Sequence, residues 1–546
     1  MSRSIRETNL INVTNPKSES FFSKPNFFDK LSEPNLKSSS DVVQLNYLLI
    51  MSTTIALPHA PSTLTQCPSI FRAKPHPIIH HPRFMTTCSA VGSRQLKLSP
   101  EKSSSLSSPV YVTLPLDDLG GEADPVGTVG RREFTAESIG VLAEAGVEGV
   151  VMDVWWALVE REPRVYHWET FLEMAEMVQR SGLKIRVVLA FHSERDWPTW
   201  PKTVDLPLWI LEEFQKNRGL GYKNRYGCPG EEYISLGCDT LPVLRGRSPL
   251  ETYADFMRSF RDNFRPFLGH VITGIQVGMG SDGELKYPSA NIHELVIGRT
   301  GEFNCYDKYM VASLKEHARE LGMPEWGDVC RLSEPLQFAG IKGNGNDDSW
   351  NTPYGAFLLE WYSGMLLMHG ERICEQAEAI FSGTNVTMSA KLGGYYYHYL
   401  HPSHISELTA GYYNTSTRDG YLPFARMFAR HGFTLCCSSF DLKDETERYC
   451  TSSPEGLLKQ ILSAARLCGI PVEGESSDPC YNGRLTSLKQ VVKMSKNYLS
   501  GLENPSFSFK LRADKFKSFK SPKYLLEKHS RATFTDFVRR MSNLND

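Results

Sequence analysis

Seven polar residues of this 546-residue chain stand at, or just past, the ends of short apolar runs: Asp153, His192, Glu284, Lys391, Ser438, Glu475 and Arg512. Two glutamates among an imidazole, a hydroxyl, two cations and a third carboxylate are suited to general acid–base chemistry. One carboxyl can protonate a leaving oxygen while the other activates water. Any one of these residues alone reads more simply: Asp153 could cap a helix, and Glu284, in "GMGSDGELKYPSA", could be a solvated loop charge. Seven at the same end of successive elements make that reading hard to keep. Trp155, Trp156 and Tyr287 lie close to them in sequence. Aromatic faces stack on pyranose rings while polar edges bond hydroxyls, so the set suits a sugar site.

The elements that must position these residues form a repeating pattern. Eight β-branched-rich runs alternate with segments of helical period: "VYVTLPL" (110–116), "VEGVVMDVW" (147–155), "LKIRVVLAFH" (183–192), "HVITGIQVG" (270–278), "NVTMSAKLG" (385–393), "FTLCCSSF" (433–440), "IPVEGES" (470–476) and "SFSFKLR" (506–512). Helical segments include 133–146, 168–182, 250–269, 354–381 and 454–469, most of them closing on a glycine as a C-cap requires. Eight such βα units predict an α/β fold, a (β/α)8 barrel, whose chemistry sits at the C-terminal strand ends. The connections at about 193–249 and 281–353 are far longer than usual βα loops and are expected to build the binding face.

Composition narrows the chemistry. Lys+Arg number 60 against 62 Asp+Glu, a net charge of -2, which gives no global field for nucleic acid or an acidic membrane. No run approaches the roughly 20 apolar residues of a membrane-spanning helix. The 12 cysteines are scattered, with no C-x-x-C pair and one doublet, Cys436 and Cys437, so they read as free thiols. There is no glycine-rich phosphate cradle, no H-E-x-x-H and no nucleophile elbow, so neither cofactor nor metal is called for.

Residues 1–108 lack periodicity and are rich in Ser, Thr, Pro, Asn and Lys; they read as a disordered extension preceding a barrel domain at 109–546. From Met51 to Pro100 there is no Asp or Glu, the composition of an organellar transit peptide, whereas residues 1–50 do carry acids. The expectation is a functional start at Met51, a transit segment over 51–88 with processing near Cys88, and a plastid stromal location.

Several longer stretches resemble one family. "VEGVVMDVWW", "YISLGCDTLPVLRGRSPLETYADFMRSF", "GSDGELKYPS", "GEFNCYDKYM", "FLLEWYSG" and "SELTAGYYNTSTRDGYLPFARMFARHG" are similar to the plant β-amylases, glycoside hydrolase family 14, over about residues 109–545. The resemblance implies release of β-maltose from non-reducing ends of α-1,4-glucans, with inversion. It implies that Glu284 is the general acid and Glu475 the general base. Asp153, His192, Lys391 and Arg512 fall on substrate-binding positions, and Ser438 on a position where the family usually carries Thr. Inversion sets the two carboxyls about 6.5–9.5 Å apart, and burial or a nearby negative charge is expected to keep the acid protonated.

The chain also departs from the family. After His192 the family has a glycine-rich lid with an aspartate, whereas "SERDWPTWPKTVDLP" has no glycine, and Trp200 falls where the aspartate would stand. Proline restricts the hinge motion that glycine permits, so this loop is expected to be stiffer. Tyr396 replaces a substrate-contacting His, Ser476 and Ser477 replace Asn-Ala after the base, and "ANIHELVIG" is unlike the family's aromatic-rich version. Two readings compete: a working β-amylase, or a weak or inactive relative that binds glucan in a regulatory role. In both the partner is an α-1,4-glucan or maltooligosaccharide.

Overall fold

The computed structural model describes residues 107–114, 136–193, 204–289, 300–342, 348–447, 451–477, 485–500, 502, 507–511 and 528–544. The N-terminal extension, Trp200 with the rest of 194–203, the "ANIHELVIG" segment and Arg512 lie outside these residues.

All eight apolar runs are strands: β1 (Val110–Thr113), β2 (Gly149–Trp155), β3 (Lys184–Ala190), β4 (Ile272–Val277), β5 (Thr387–Leu392), β6 (Thr434–Cys437), β7 (Val472–Glu475) and β8 (Phe507–Leu511). Each is parallel to its neighbours in chain order, and β8 returns to β1 with Val110 opposite Phe509, closing the barrel. Strands β1 and β3 to β7 end one to three residues short of the runs that announce them, because pairing stops where the barrel rim begins, whereas β2 extends to the end of its own. His192 and Ser438 therefore stand just above the rim rather than in it.

Helices cover the outside. The helix Pro249–Phe264 begins with a full capping box: the Ser248 hydroxyl accepts from the Glu251 amide, and the Glu251 carboxylate accepts from that of Ser248. It ends before the expected position 269 because Pro266, which has no N–H to donate, cannot continue it. The helix Pro454–Cys468 starts on a Ser453 cap and stops at Gly469, whose φ is 65°. The longest, Pro353–Phe381, packs against the helix Pro249–Phe264.

Strand alternation divides the two faces. Outward residues such as Val150, Met152, Val154, Ile185, Val187 and Leu189 join the apolar core beneath the helices. The inward row is unusually polar for a barrel interior, which is more often filled with Val, Ile and Leu. Arg186 of β3 reaches across to Glu473 of β7 at 2.7 Å, and Lys510 of β8 meets Glu473 at 3.3 Å and hydrogen-bonds Gln276 of β4. Gly274 is required beside this network, since a Cβ there would fall 2.3 Å from the Arg186 guanidinium.

Candidate active site

The inward row opens at the C-terminal rim into a cleft of about 500 Å³, open solvent included. Asp153 and Trp155 of β2, His192, Gln276, Asp282, Lys391, Glu475 and Lys510 line it, with Thr113, Val151, Val188, Ala190 and Gly283. The cleft therefore gathers Asp153, Lys391 and Glu475 from three different strands and His192 from just beyond the end of β3.

Glu284 is not among the residues lining this cleft; it is brought against Lys391 by a different route. The chain does not leave the barrel after β4; it turns through residues 279–283 and returns as a two-residue strand, Glu284–Leu285, parallel to the end of β5 with Glu284 opposite Lys391. The turn is tight because Asp282 and Gly283 both have left-handed backbones, φ 56° and 71°. A Cβ on Gly283 would approach the His192 ring to 3.0 Å, and one on Gly280 would meet the carbonyl oxygens of Glu284 and Lys286 at 2.5 and 2.6 Å. His369 braces the turn from behind, with Nε2 3.0 Å from the Met279 carbonyl and Nδ1 2.9 Å from Asp239. Tyr412 donates to the Leu285 carbonyl at 2.5 Å and accepts from the Gly393 amide at 2.7 Å, tying the return strand to the end of β5.

One ammonium joins the two glutamates. Lys391 Nζ lies 2.9 Å from Glu475 Oε1 and 3.3 Å from Glu284 Oε1, which limits the separation of those two oxygens to the sum, 6.2 Å. The carboxyl carbons can stand farther apart than these oxygens, so the arrangement accommodates the spacing that inversion needs. Lys286 holds the other side of Glu284 at 3.0 Å and is itself paired with Asp282 at 2.6 Å. Glu284 is itself buried. The charges closest to Glu284 are ammonium groups, each shared with a second carboxylate.

Burial disfavours the charge on Lys286, but Asp282 and Glu284 outweigh it and hold this lysine well above its ordinary range. Lys510 is raised in the same way, burial being outweighed by Cys436, Glu473 and Glu475. Cys436 is itself pushed up to about 12 by burial and is a neutral thiol at working pH, so the two carboxylates carry the effect. Burial raises Glu473, but Lys510 and Arg186 together pull it below the usual carboxylate range.

The other expected residues lie around the rim. The Ser438 hydroxyl lies 3.5 Å from where a Cβ on Gly394 would project. Ser476 is fully buried and its amide donates to the Lys510 carbonyl at 3.2 Å. The Ser477 amide donates to Asp441 at 2.7 Å and its hydroxyl to Ser439 at 3.3 Å, so this pair fastens the turn after β7 to the one after β6. Tyr396 stacks on Tyr397 with ring centroids 4.5 Å apart and donates to its hydroxyl at 3.3 Å.

Two of the three aromatic expectations are corrected. Trp156 begins a short helix directly after β2 and faces away from the cleft, where its indole donates to buried Glu160 at 2.7 Å and packs on Trp209 and Tyr253. Glu160 in turn binds Arg247 at 2.8 Å. Tyr287 is core: it stacks on Tyr362 at 3.9 Å and donates to the Tyr362 carbonyl at 3.0 Å. Trp155 alone lines the cleft, with its ring 5.0 Å from that of His192.

Sequence reasoning missed Asp282, Lys286, Gln276 and Lys510. The signal for the last two was present: a polar side chain inside a strand buried on both faces has only the barrel interior to point into.

Residues 111–523 match the model of glycosyl hydrolase family 14. The chain is 43% identical over 399 residues to "Beta-amylase 1, chloroplastic" of Arabidopsis thaliana, covering 71% of this chain and 68% of that protein. It is likewise 43% identical over 400 residues to "Beta-amylase 1, chloroplastic" of Oryza sativa subsp. japonica, covering 70% and 72%. Among solved structures, the catalytic domain of β-amylase from Paenibacillus polymyxa superposes with a TM-score of 0.62 at 19% identity, covering 80% of this chain and 99% of that one, a likeness of fold.

Proposed function

The chain belongs to glycosyl hydrolase family 14, and from that premise we propose that Glu284 and Glu475 are the acid and base of a β-amylase reaction. The activity is hydrolysis of α-1,4-glucosidic linkages in starch, releasing β-maltose from non-reducing ends. The observation that supports pairing them is the Lys391 bridge, which joins Glu284 to Glu475 of the cleft; which of the two is the acid rests on the family resemblance.

In this reading the Glu284 carboxylic acid gives its proton to the glycosidic oxygen as the bond to the anomeric carbon breaks. Glu475, as carboxylate, takes a proton from the water that attacks that carbon from the opposite face. The water's oxygen becomes the new anomeric hydroxyl, inverted, and the cleaved glucan end keeps the proton from Glu284. Asp153 and His192 are proposed to hold sugar hydroxyls, with Trp155 offering an apolar face. Lys391 balances the two carboxylates before substrate enters and is free to bond a sugar oxygen once Glu284 is protonated. Ser438, Tyr396, Ser476, Ser477 and Arg512 are proposed to complete the subsites from the rim.

The test is reducing-sugar release from soluble starch, with the anomer of the product followed by optical rotation, alongside a Glu284→Gln control. Release of β-maltose that disappears in the control is expected; glucan binding without turnover in both proteins would overturn the enzymatic reading.

A plastid location is supported by the chloroplastic names of relatives in Arabidopsis and rice. We propose the stroma, with the acid-free segment from Met51 as the transit signal and the barrel domain starting near residue 109. N-terminal sequencing of protein recovered from plastids is expected to begin near Ser89, and retention of residues before 51 would overturn it.

A further inference from the structure

We propose that Lys510 is a positioning residue for Glu475, the cation that fixes the second oxygen of that carboxylate and keeps it ionised for its work as a base. The proposal rests on the reading of Glu475 above. The two oxygens of Glu475 face different ammonium groups: Lys391 meets Oε1 at 2.9 Å, and Lys510 stands 3.7 Å from Oε2.

The two lysines are held differently. Lys391 sits between two carboxylates at the rim, where a sugar enters, and its contacts must change when Glu284 is protonated and substrate binds. Lys510 lies a strand away on β8, paired in register with Glu475, and is 2% exposed. It is anchored from below by Glu473 at 3.3 Å and by the Gln276 amide oxygen. Glu473 is held in turn by Arg186 at 2.7 Å. This buried chain, running from the floor of the barrel to the cleft, leaves Lys510 few other positions, so its charge stays on Glu475 throughout the cycle while that of Lys391 does not.

Among the described residues, the groups facing Glu475 include Lys391 from β5, the Cys436 thiol of β6 at 3.9 Å from Oε2, and Lys510 from β8. Glu473 lies below on its own strand, Glu284 stands beyond Lys391, and Asp153, His192 and Asp282 line the far side of the cleft. Among these, Lys510 is the cation that does not depend on the state of Glu284. A charge within 4–6 Å moves a carboxyl by about one to three units, so its removal is expected to raise the protonation midpoint of Glu475 by about one unit or more.

The experiment measures that midpoint directly, without relying on turnover. Protein labelled with carboxyl-13C glutamate is titrated by NMR, the Glu475 resonance being assigned by its loss in Glu475→Gln. Lys510→Met and Lys510→Gln are compared with the unaltered protein; the Gln variant keeps a hydrogen bond to Gln276 and serves if the Met variant does not fold. An upward shift of about one unit, reversed in Lys510→Arg, supports the proposal. An unchanged midpoint in the folded variant overturns it even if starch hydrolysis is intact. On starch the same variants are expected to lose about tenfold in kcat at pH values one unit below the unaltered protein's midpoint, with KM little changed. If the unaltered protein fails to hydrolyse starch while the midpoint still shifts, the functional reading falls and the electrostatic role of Lys510 stands.

Discussion

Glu284 and Lys391 are paired twice, as register neighbours on adjoining parallel segments and by a side-chain contact of 3.3 Å. The backbone pairing makes the side-chain one reproducible: the return of the chain after β4 fixes which residue of β5 the acid must meet. Lys391→Met removes the shared cation and leaves two buried carboxylates facing each other. A loss of at least about a hundredfold in kcat on starch is expected, with destabilisation below the about 3–5 kcal/mol of a buried charge left without a partner, because Lys286 still pairs with Glu284 and Lys510 still faces Glu475. Steady-state kinetics together with denaturant unfolding separate the two effects.

The roles of the two glutamates can be distinguished by leaving group. Protonation by Glu284 matters when the departing group is a sugar hydroxyl and matters little when it is fluoride. Glu284→Gln is expected to lose about 10²- to 10⁴-fold on starch yet retain most of its rate on a maltosyl fluoride. Glu475→Gln is expected to lose both, because water must still be activated. Equal losses on both substrates in Glu284→Gln would reverse the assignment.

How much of this was legible in the sequence depends on where each residue sits in the barrel. The eight strands could be read because a strand buried on both faces is a short continuous apolar run, and all eight formed within the expected boundaries. Reading only the last polar residue of each run captured Glu475 and missed Glu473 and Lys510, although side chains two apart on a strand face the same interior. Trp156 misled because the strand ends at Trp155 and a helix begins on the next residue, which turns neighbouring indoles to opposite sides. Tyr287 misled for a different reason. Its partner, Tyr362, is 75 residues away, and no local pattern announces that stacking.

The ion network below the cleft predicts how the fold responds to acid. Glu473 has a lowered carboxyl pKa in the folded chain, so its stabilising contribution is present above the unfolded carboxylate value and is lost as pH falls through the folded one. Glu473→Gln leaves Arg186 and Lys510 without their shared carboxylate and is expected to cost about 3–5 kcal/mol at neutral pH. That deficit is expected to shrink as the pH falls below about 4, which urea unfolding at a series of pH values measures.

His431 predicts the opposite sign. It lies 2.8 Å from both Glu371 and Glu378; burial lowers its pKa, but the two carboxylates outweigh burial and raise it. Its contribution is therefore full below the unfolded imidazole value of about 6.5 and is lost as pH rises through the higher folded value. Because Glu378 is largely exposed, solvent screening limits the contribution to about 1 kcal/mol. His431→Gln should be less stable than the unaltered protein at pH 6 and nearly equal to it at pH 9.

Glycine substitutions probe whether the turn carrying Glu284 is as constrained as its geometry indicates. At Gly280 a methyl group would lie 2.5 Å from the Glu284 carbonyl oxygen and 2.6 Å from that of Lys286. Both obstacles are backbone, so Gly280→Ala can be accommodated only by opening the turn, which shifts Glu284 away from Lys391. A displacement of about 1 Å is enough to cost about a hundredfold in rate, and that loss should appear in kcat. Gly364 is the control: it is exposed within the helix Pro353–Phe381 and a methyl there meets nothing within 4 Å. Gly364→Ala should stabilise the protein by about 0.5–1 kcal/mol through the entropy of the unfolded chain and leave kcat unchanged. If Gly280→Ala retained full kcat with normal stability, the turn would be more adaptable than its contacts imply, and Glu284 would not depend on it for position.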